Sequence, residues 1–585
     1  MKEKFHKVDF CVIGGGLAGM LAAISAARHG VKVLLMSDRP VLGGNCSSEI
    51  RMWPLGCKGK DNRETGILEE IFIENMYRNP TRNFSIWDSV LYEKVKAEPN
   101  ITLLLNCSCN NAKMDGNKIS SIKGWQLTTY TWHNVEADYF ADCSGDSILA
   151  PLTGAEYRVG REAASEFNED IAPEKADKRT MGMSCILQAV ERDYKVDYTP
   201  PTWANVYPNE ESLPYRDHDL KDLLTNFWWI EVGGEDDSIY DTEELRDELL
   251  KIVFGVWDHI KNRGDHGADN WELDWVGFLP GKRESRRYVG DYIMNQNDVR
   301  SEGRFNDLVA YGGWPMDDHN PGGIHYPGNP TIFHPAPAPF GIPYRCLYSK
   351  NIENLFFAGR NISVTHTALS STRVMATCAV IGQAVGTAAS IAVRDKSTPR
   401  QVYENSIREL QDILMDDDCY LPFHTRKSSV LSNNAVLWAT DGDPKPVLNG
   451  CDRVIGDNLN AWQASVDSTI GLAYEKPVPI KQVRLVFDSD LQRTSCGGSP
   501  VLRFYPTINN RSLNLPPFNF PTTMVKDFVV EYQDENGIWV PLAEIKNNYQ
   551  RLVKINTDII TRGIKMTVKN TWGCEKALVF SLDAY

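Results

Sequence analysis

Three features of the sequence predict an α/β protein: a domain of parallel strands interrupted by an α+β insert and followed by an all-β sandwich. First, Val8 to Met36 reads as an apolar β-rich run, a glycine turn, an Ala-rich helical run ending at Gly30, and a second apolar run. Second, from about residue 155 to 345 this pattern stops and tryptophans collect. Third, from about residue 430 strand-like alternation takes over. A chain of 585 residues also exceeds one ordinary core and calls for two to four domains.

The glycine turn is Gly14-Gly15-Gly16-Leu17-Ala18-Gly19, a G-x-G-x-x-G pattern between strand and helix. Gly14 permits the tight turn, Gly16 lets a pyrophosphate approach the backbone at the helix N-terminus, and Gly19 lets helix and sheet pack closely. The domain is therefore read as Rossmann-type. An acid normally closes this fingerprint at the end of the second strand, where it binds a ribose; here that position is Ser37. Asp38 substitutes only if the strand has ended and the chain is turning, because neighbouring strand residues point to opposite faces.

Composition bounds the function classes. Forty-two per cent hydrophobic and 24% charged residues mark a globular chain. The formal charge of −15 opposes nucleic acid or an anionic membrane as a general partner. Met1 to Lys7 carries no apolar targeting stretch, and no uninterrupted apolar run reaches eighteen residues, so the expectation is a soluble, cytoplasmic protein. Thirteen cysteines without a paired C-x-x-C unit fit buried thiols better than a disulfide framework or structural zinc.

After the second strand comes Asp38-Arg39-Pro40-Val41-Leu42-Gly43-Gly44-Asn45, then Cys46 and Ser47-Ser48-Glu49-Ile50-Arg51. With the first glycine turn, this resembles the FAD-binding domain of glutathione-reductase-type flavoproteins. In particular it resembles the FAD-dependent oxidoreductases often encoded among bacterial carbohydrate-degrading enzymes, a family that commonly lacks the ribose-binding acid. Disulfide reductases of this type place a second cysteine five residues after the first; here Arg51 stands there, so Cys46 is read as a small filler near the flavin. Arg51 either orients an anionic or polyhydroxylated substrate or holds a structural salt bridge.

Residues 65 to 98 read helical, and Ile101–Leu105 and Asp138–Asp142 read as strands. The second strand ends in Asp142-Cys143-Ser144-Gly145-Asp146, similar to a D-x-[ST]-G-D segment that lies beside FAD in the resembled group. In the insert, seven of fifteen tryptophans, Trp203, Trp228, Trp229, Trp257, Trp271, Trp275 and Trp314, either stack on sugars or fill cores, and Leu245 to Arg263 reads as a helix. Pro280-Gly281-Lys282-Arg283-Glu284-Ser285-Arg286-Arg287 concentrates cations, as an anion pocket or as internal ion pairs; the family resemblance includes this run. Asp317, His319, His325 and His334 lack metal-site spacing, so no metal is assigned, and the proline-rich loop through Pro343 is read as offering His or Asp to a substrate.

Leu355-Phe356-Phe357-Ala358-Gly359-Arg360-Asn361 matches the second FAD-contacting motif of the resembled class, with Asn361 where many relatives have Asp. A small-residue helix follows, from about Arg373 to Val393, whose N-terminus the resemblance aims at the flavin's pyrimidine edge. Altogether the resemblance implies FAD contacts from Gly14, Gly16, Leu17, Ala18, Gly19, Ser37, Asp38, Arg39, Gly43, Gly44, Asn45, Ser48, Arg51, Gly145, Asp146, Gly359, Arg360, Asn361, Thr372, Arg373 and Val374. His366, read on a loop between cofactor strand and cofactor helix, is the leading general base, with His319 and His334 behind it. Arg51 and one of Arg283, Arg286 or Arg287 orient the substrate.

Toward the C-terminus, Val483-Leu485-Phe487, Phe528-Val530-Tyr532, an Asn536-Gly537 turn, Ile538-Val540-Leu542 and Ile564-Met566-Val568, with Trp462 upstream, resemble a discoidin-like or galactose-binding-like β-sandwich. The expected layout is a first FAD-domain part over 1–160, the insert over 161–345, the FAD-domain return and linker over 346–425, and the sandwich over 426–585. The expected function is hydride transfer between flavin N5 and a small polar, carbohydrate-derived substrate. A flavin-assisted glycan lyase or hydrolase without net redox change, and a carbohydrate-binding protein with a vestigial nucleotide fold, remain alternatives. The acceptor and oligomeric state are not specified by the sequence.

Overall fold

The computed structural model describes residues 2–60, 65–221, 225–491 and 505–585. They form two compact units: Met1–Lys58, Arg82–Leu410 and Pro506–Pro516 make the first, and Gly59–Thr81, Gln411–Tyr505 and Pro517–Tyr585 the second. The insert expected over 161–345 lies wholly inside the first unit.

In the first unit a parallel sheet runs in the order Ile101–Leu104, Val33–Met36, Lys2–Ile13, Thr131–Asp142, Leu355–Phe357. The chain turns to one side of the first strand and later to the other, so the strand order reverses at Lys2–Ile13. A ligand crevice opens at the carboxyl end of such a strand, where Gly14 stands. An antiparallel hairpin, Cys107–Asp115 and Lys118–Gln126, extends the sheet along Thr131–Asp142. The helix Leu17–Arg28 packs on the helix Met375–Asp395, where an added Cβ at Gly382 or Gly386 would lie 2.1 or 2.2 Å from the carbonyl oxygens of Ala18 and Ala22. Met375–Asp395 is long and apolar enough to cross a membrane by length and composition, and 94% of its most apolar window is buried in the protein.

Two helical readings are corrected. Residues 65 to 98 form two helices, Gly66–Arg78 in the second unit and Phe84–Lys96 in the first, because Pro80 cannot continue a helix and Asn83 caps a new one, accepting from Ser85 N at 2.8 Å. The helix expected from Arg373 begins at Met375, after a separate helix His366–Thr372 that Thr365 caps by accepting from Ala368 N. His366 is thus a helix residue, not a loop residue.

The insert contributes a three-stranded sheet, Glu231–Val232, Met183–Ser184 and Gly281–Lys282, a ribbon of Leu187–Glu191 with Trp271–Val276, and the helix Thr242–Asp258. Trp229, Trp257 and Trp271 are buried with Leu249, Ile252 and Val256 and belong to the core, whereas Trp203 is exposed.

The second unit is an antiparallel β-sandwich. The long strands Thr469–Phe487 and Leu552–Thr571 pair along most of their length. At one end they continue to Val525–Gln533 and Trp539–Ile545, and at the other Thr469–Phe487 pairs with Lys576–Ala584. Its core takes in Trp462, Leu472, Phe487, Phe528 and Met566 together with Ile73 and Met76 of the early helix. Among described cysteines eleven are free thiols, ten of them buried, but Cys574 is in a disulfide, which departs from the all-thiol expectation.

Candidate functional site

Gly14 leaves the first strand at φ +111°, a conformation that disfavours a side chain, and a Cβ there would sit 2.3 Å from the Cys143 carbonyl oxygen. A Cβ on Gly19 would come within 1.9 Å of the Gly14 oxygen. Gly16 caps the helix without any side-chain hydrogen bond, so the first N–H groups of Leu17–Arg28 have no side-chain acceptor there. The Gly43-Gly44 turn lies alongside: Gly43 N donates to Gly15 O at 2.8 Å. A Cβ added at Gly16 would meet nothing nearer than Gly44 Cα at 4.0 Å. Two bare backbone segments therefore flank a helix N-terminus with no side chain between them, a cradle suited to a pyrophosphate. The second strand ends at Met36; Ser37 is buried under Gly15, and Asp38 projects from the turn that follows.

Across the crevice, Asp142 anchors the next turn. Its carboxylate accepts from Ser144 N and Oγ, Leu149 N and the Tyr288 hydroxyl. Gly145 has φ +81°, and a Cβ there would strike the Arg360 guanidinium. Asp146 accepts from Arg360 at 2.6 Å, Ser285 Oγ at 2.8 Å and Lys282 Nζ at 3.0 Å. Burial alone would raise its pKa, but Arg360 and Lys282 outweigh burial and hold it at about 2. Asn361 is fully buried; its Nδ2 donates to Asp142 O, while its Oδ1 has no hydrogen-bond partner. Arg360 Nε, Thr372 Oγ1 and Arg373 Nε are also buried without partners. Buried polar atoms are ordinarily paired, so this set of open donors and acceptors, on the segments that border the cradle, fits a polar cofactor.

Beside this crevice lie two chains of buried charge, both running through the strand Met316–His319. In one, Glu284 accepts from Met181 N, pairs with Arg287 and sits 2.8 Å from His366 Nδ1; His366 Nε2 faces Asp318 Oδ1 at 3.4 Å. Glu162 joins through Arg287 at 2.7 Å and accepts from His366 N. In the other, Arg283 lies 3.4 Å from Glu231, Glu231 lies 2.6 Å from His319 Nδ1, and His319 Nε2 is 3.2 Å from Asp317, which also faces Arg373. Burial would lower the His366 pKa, but Glu284 and Asp318 raise it to about 9. Burial would raise Glu284 and Glu231; His366 with Arg287, and Arg283 with His319, keep both below the ordinary carboxylate value.

With its pKa raised to about 9 by these two carboxylates, the His366 ring favours the protonated form at neutral pH. His319 has a carboxylate against each ring nitrogen, so both nitrogens are already engaged within the protein. His334 lies on Thr331–His334, whose register sets it opposite Met316, and it is close enough to Asp318 to help lower that carboxyl's pKa. Arg283 resolves into the ion-pair alternative. Arg286 is buried, 3.5 Å from the Asp146 backbone oxygen and over the Tyr157 ring. Arg51, at φ +64°, makes no salt bridge among the described residues: its guanidinium lies between Phe84 and Trp275, 4.8 and 4.2 Å from the ring centroids, and donates to Gln188. Burial lowers its pKa to about 10. Asn45 Nδ2 donates to Lys282 O and Ser48 N to Asp88, tying the Gly-Gly segment to its surroundings. Cys46 is a buried thiol donating to Gly43 O, with its pKa pushed far up by burial, as befits a filler. Sequence reading did not single out Glu162, Glu231 or Trp228 O, which accepts from Arg283; nothing local marks them.

The reversed strand order and glycine cradle define a dinucleotide-binding site. A family model described as FAD dependent oxidoreductase matches residues 9–414, and the chain belongs to that family. It is an enzyme of the family and FAD is its cofactor by that membership. A soluble pyridine nucleotide transhydrogenase of Chromohalobacter salexigens is 48% identical over 42 residues, 7% of this chain and 9% of that one. The chain spans only about a tenth of the length of such curated relatives. Among solved structures, a geranylgeranyl bacteriochlorophyll reductase-like protein of Thermoplasma acidophilum aligns with 71% of this chain and 86% of its own, at 13% identity and TM-score 0.33. The family 32 carbohydrate-binding module of Streptococcus pneumoniae EndoD aligns with 27% of this chain and 99% of its own, at 16% identity and TM-score 0.20.

Proposed function

We propose that the protein exchanges a hydride between FAD and the hydroxyl-bearing carbon of a small polar, carbohydrate-derived substrate. When bound, FAD supplies a two-electron acceptor or donor at flavin N5. The cradle glycines and Asn361, Arg360, Thr372 and Arg373 would hold it. The observation that carries the reading is the Glu284, His366, Asp318 chain: a buried imidazole held between two carboxylates, of which the outer one, Asp318, keeps 26% of its side-chain surface open. In the carbonyl-to-alcohol direction, His366 Nε2 passes its proton to Asp318 Oδ1 and Asp318 protonates the substrate oxygen. Glu284 holds the ring in place throughout. In the reverse direction Asp318 takes the hydroxyl proton, which requires His366 to be neutral and so favours alkaline pH.

A cleft of about 560 Å³, lined by Arg161, Arg179, Asn320, His325 and Tyr326 among others, offers donors for a hydroxyl-rich or anionic substrate, and Arg161 lies close enough to Asp318 to feel its charge. The test is anaerobic addition of a panel of sugars, glycosides and their carbonyl forms to the purified yellow protein. Bleaching by one member, with stoichiometric oxidised product, supports the proposal. A spectrum unchanged after turnover, with a cleaved glycosidic bond and no acceptor consumed, would replace it with the redox-neutral reading.

A further inference from the structure

Away from the cradle and both charge chains, the insert gathers Glu210, His218, His259 and His266, whose ligand-type atoms all lie within 4.8 Å of one another. We propose that these four side chains bind one divalent transition-metal ion of the zinc class, which pins the 207–218 segment to the end of the helix Thr242–Asp258.

The geometry is that of a coordination shell. His259 Nε2 and His266 Nε2 are 3.2 Å apart, and Glu210 Oε1 lies 3.2 Å from the first and 3.1 Å from the second. Tetrahedral zinc with ligand bonds of about 2.0–2.1 Å sets its ligand atoms about 3.3 Å from each other. Three of the four atoms therefore already occupy one near-equilateral face. The His218 ring completes the group, with Nδ1 3.5 Å from Glu210 Oε2 and centroids 5.0 and 4.9 Å from those of His259 and His266.

The supporting shell matches as well. His259 is fully buried, and its Nδ1 stands 2.9 Å from the Tyr207 carbonyl oxygen, which can only accept. That bond puts the proton on Nδ1 and leaves the Nε2 lone pair facing the cluster, the arrangement a metal-ligating histidine uses. His218 is buried, and its Nε2 has no hydrogen-bond partner among the described residues, so the ring's polar atoms are not satisfied within the protein. Gly264 makes room for the third ring: a Cβ there would lie 1.9 Å from His266 Nε2. His259 opens a π-helical turn, His259–Arg263, that ends the long helix and swings His266 back toward His259. Three imidazoles and one carboxylate close a four-coordinate shell, which makes the ion structural rather than catalytic.

The test uses the untagged, FAD-loaded full chain, stripped with a chelator and titrated with Zn²⁺ against a chromophoric competitor, then with Co²⁺. The expected result is about one Zn²⁺ per chain with a Kd of about 0.1 µM or tighter. Tetrahedral Co²⁺ visible bands and a rise of a few degrees in thermal midpoint on adding Zn²⁺ should accompany it. Because His259 is buried and its loss could unfold the insert, the variants are His266→Ala, Glu210→Gln and Gly264→Ala. His266→Ala should bind about 100-fold more weakly, the other two should also weaken, and all should keep the wild-type flavin spectrum. Failure of the wild type to bind Zn²⁺ stoichiometrically, or equal affinity in His266→Ala, would overturn the site.

Discussion

Each unit buries a lattice of ionised side chains, and the two lattices are made of different parts. In the second unit Arg551 meets Asp418 at 2.6 Å and Glu69 at 3.5 Å, Arg426 meets Asp583 at 2.6 Å, and Arg484 meets Asp452 at 2.9 Å. In the first unit histidines stand between the carboxylates, and the outer carboxylate, Asp318, is partly open to solvent. Guanidinium groups do not release protons in the accessible pH range, so the arginine lattice can only hold shape. An imidazole can exchange its proton, so the same degree of burial becomes a chemical resource. Burial of charge is common to both lattices; a titratable member beside a partly open carboxylate distinguishes the first.

The largest effect should come from the cradle beside the histidine lattice. Gly14→Ala sets a methyl 2.3 Å from a backbone oxygen in a conformation that disfavours it. It should abolish copurification of FAD, read as loss of visible absorbance; a normally yellow variant would contradict the cradle. Next, Arg551→Ala removes a buried guanidinium that faces two buried carboxylates, Asp418 and Glu69, and should cost about 3–5 kcal/mol of stability. Denaturant unfolding should show this while the flavin spectrum below the transition stays as in the wild type. A change in turnover without a change in stability would mean that the arginine lattice does more than hold shape.

His366→Gln should retain FAD and slow carbonyl reduction about 100-fold or more. In the wild type that rate should be level at neutral pH and fall as pH rises through about 9. The variant should lose this break, and an unchanged break would assign it to another group. The sign for stability is the same. Because the His366 pKa is raised from its ordinary 6.5 to about 9, its ion pairs contribute fully below 6.5 and are lost as pH climbs through 9. The wild-type thermal midpoint should thus fall more steeply than the variant's on the alkaline side. The smallest effect is expected at Asn361, whose Oδ1 is an open buried acceptor. Asn361→Leu should leave the apoprotein about as stable and weaken FAD binding about 10-fold, near 1.4 kcal/mol; equilibrium titration of apoprotein with FAD measures it.

The glycine turn, the strands around it and the sandwich were readable because their determinants are local. Turn residues need particular backbone angles, and periods of two or 3.6 residues report which face is buried. The Asn536-Gly537 turn formed where expected, with Gly537 at φ +80° and Asp534 accepting from Asn536 N and Ile538 N. Pro-Gly-Lys-Arg-Glu-Ser-Arg-Arg announced concentrated charge, yet its division between Glu231, Glu162 and Asp146 depends on partners up to about 140 residues away.

The sequence by itself determined that a nucleotide-binding strand, turn and helix open the chain and that His366 stands near the second cofactor motif. Only the tertiary structure decided which groups face this histidine: Glu284 and Asp318, which folding places against it, raise its pKa to about 9. The same holds for Glu210, His218, His259 and His266. Spacings of 8, 41 and 7 residues carry no motif, and the cluster exists because a helix end and a distant loop are packed together. Backbone conformation is encoded in neighbours along the chain, whereas electrostatics acts through space and is written only when the chain has folded.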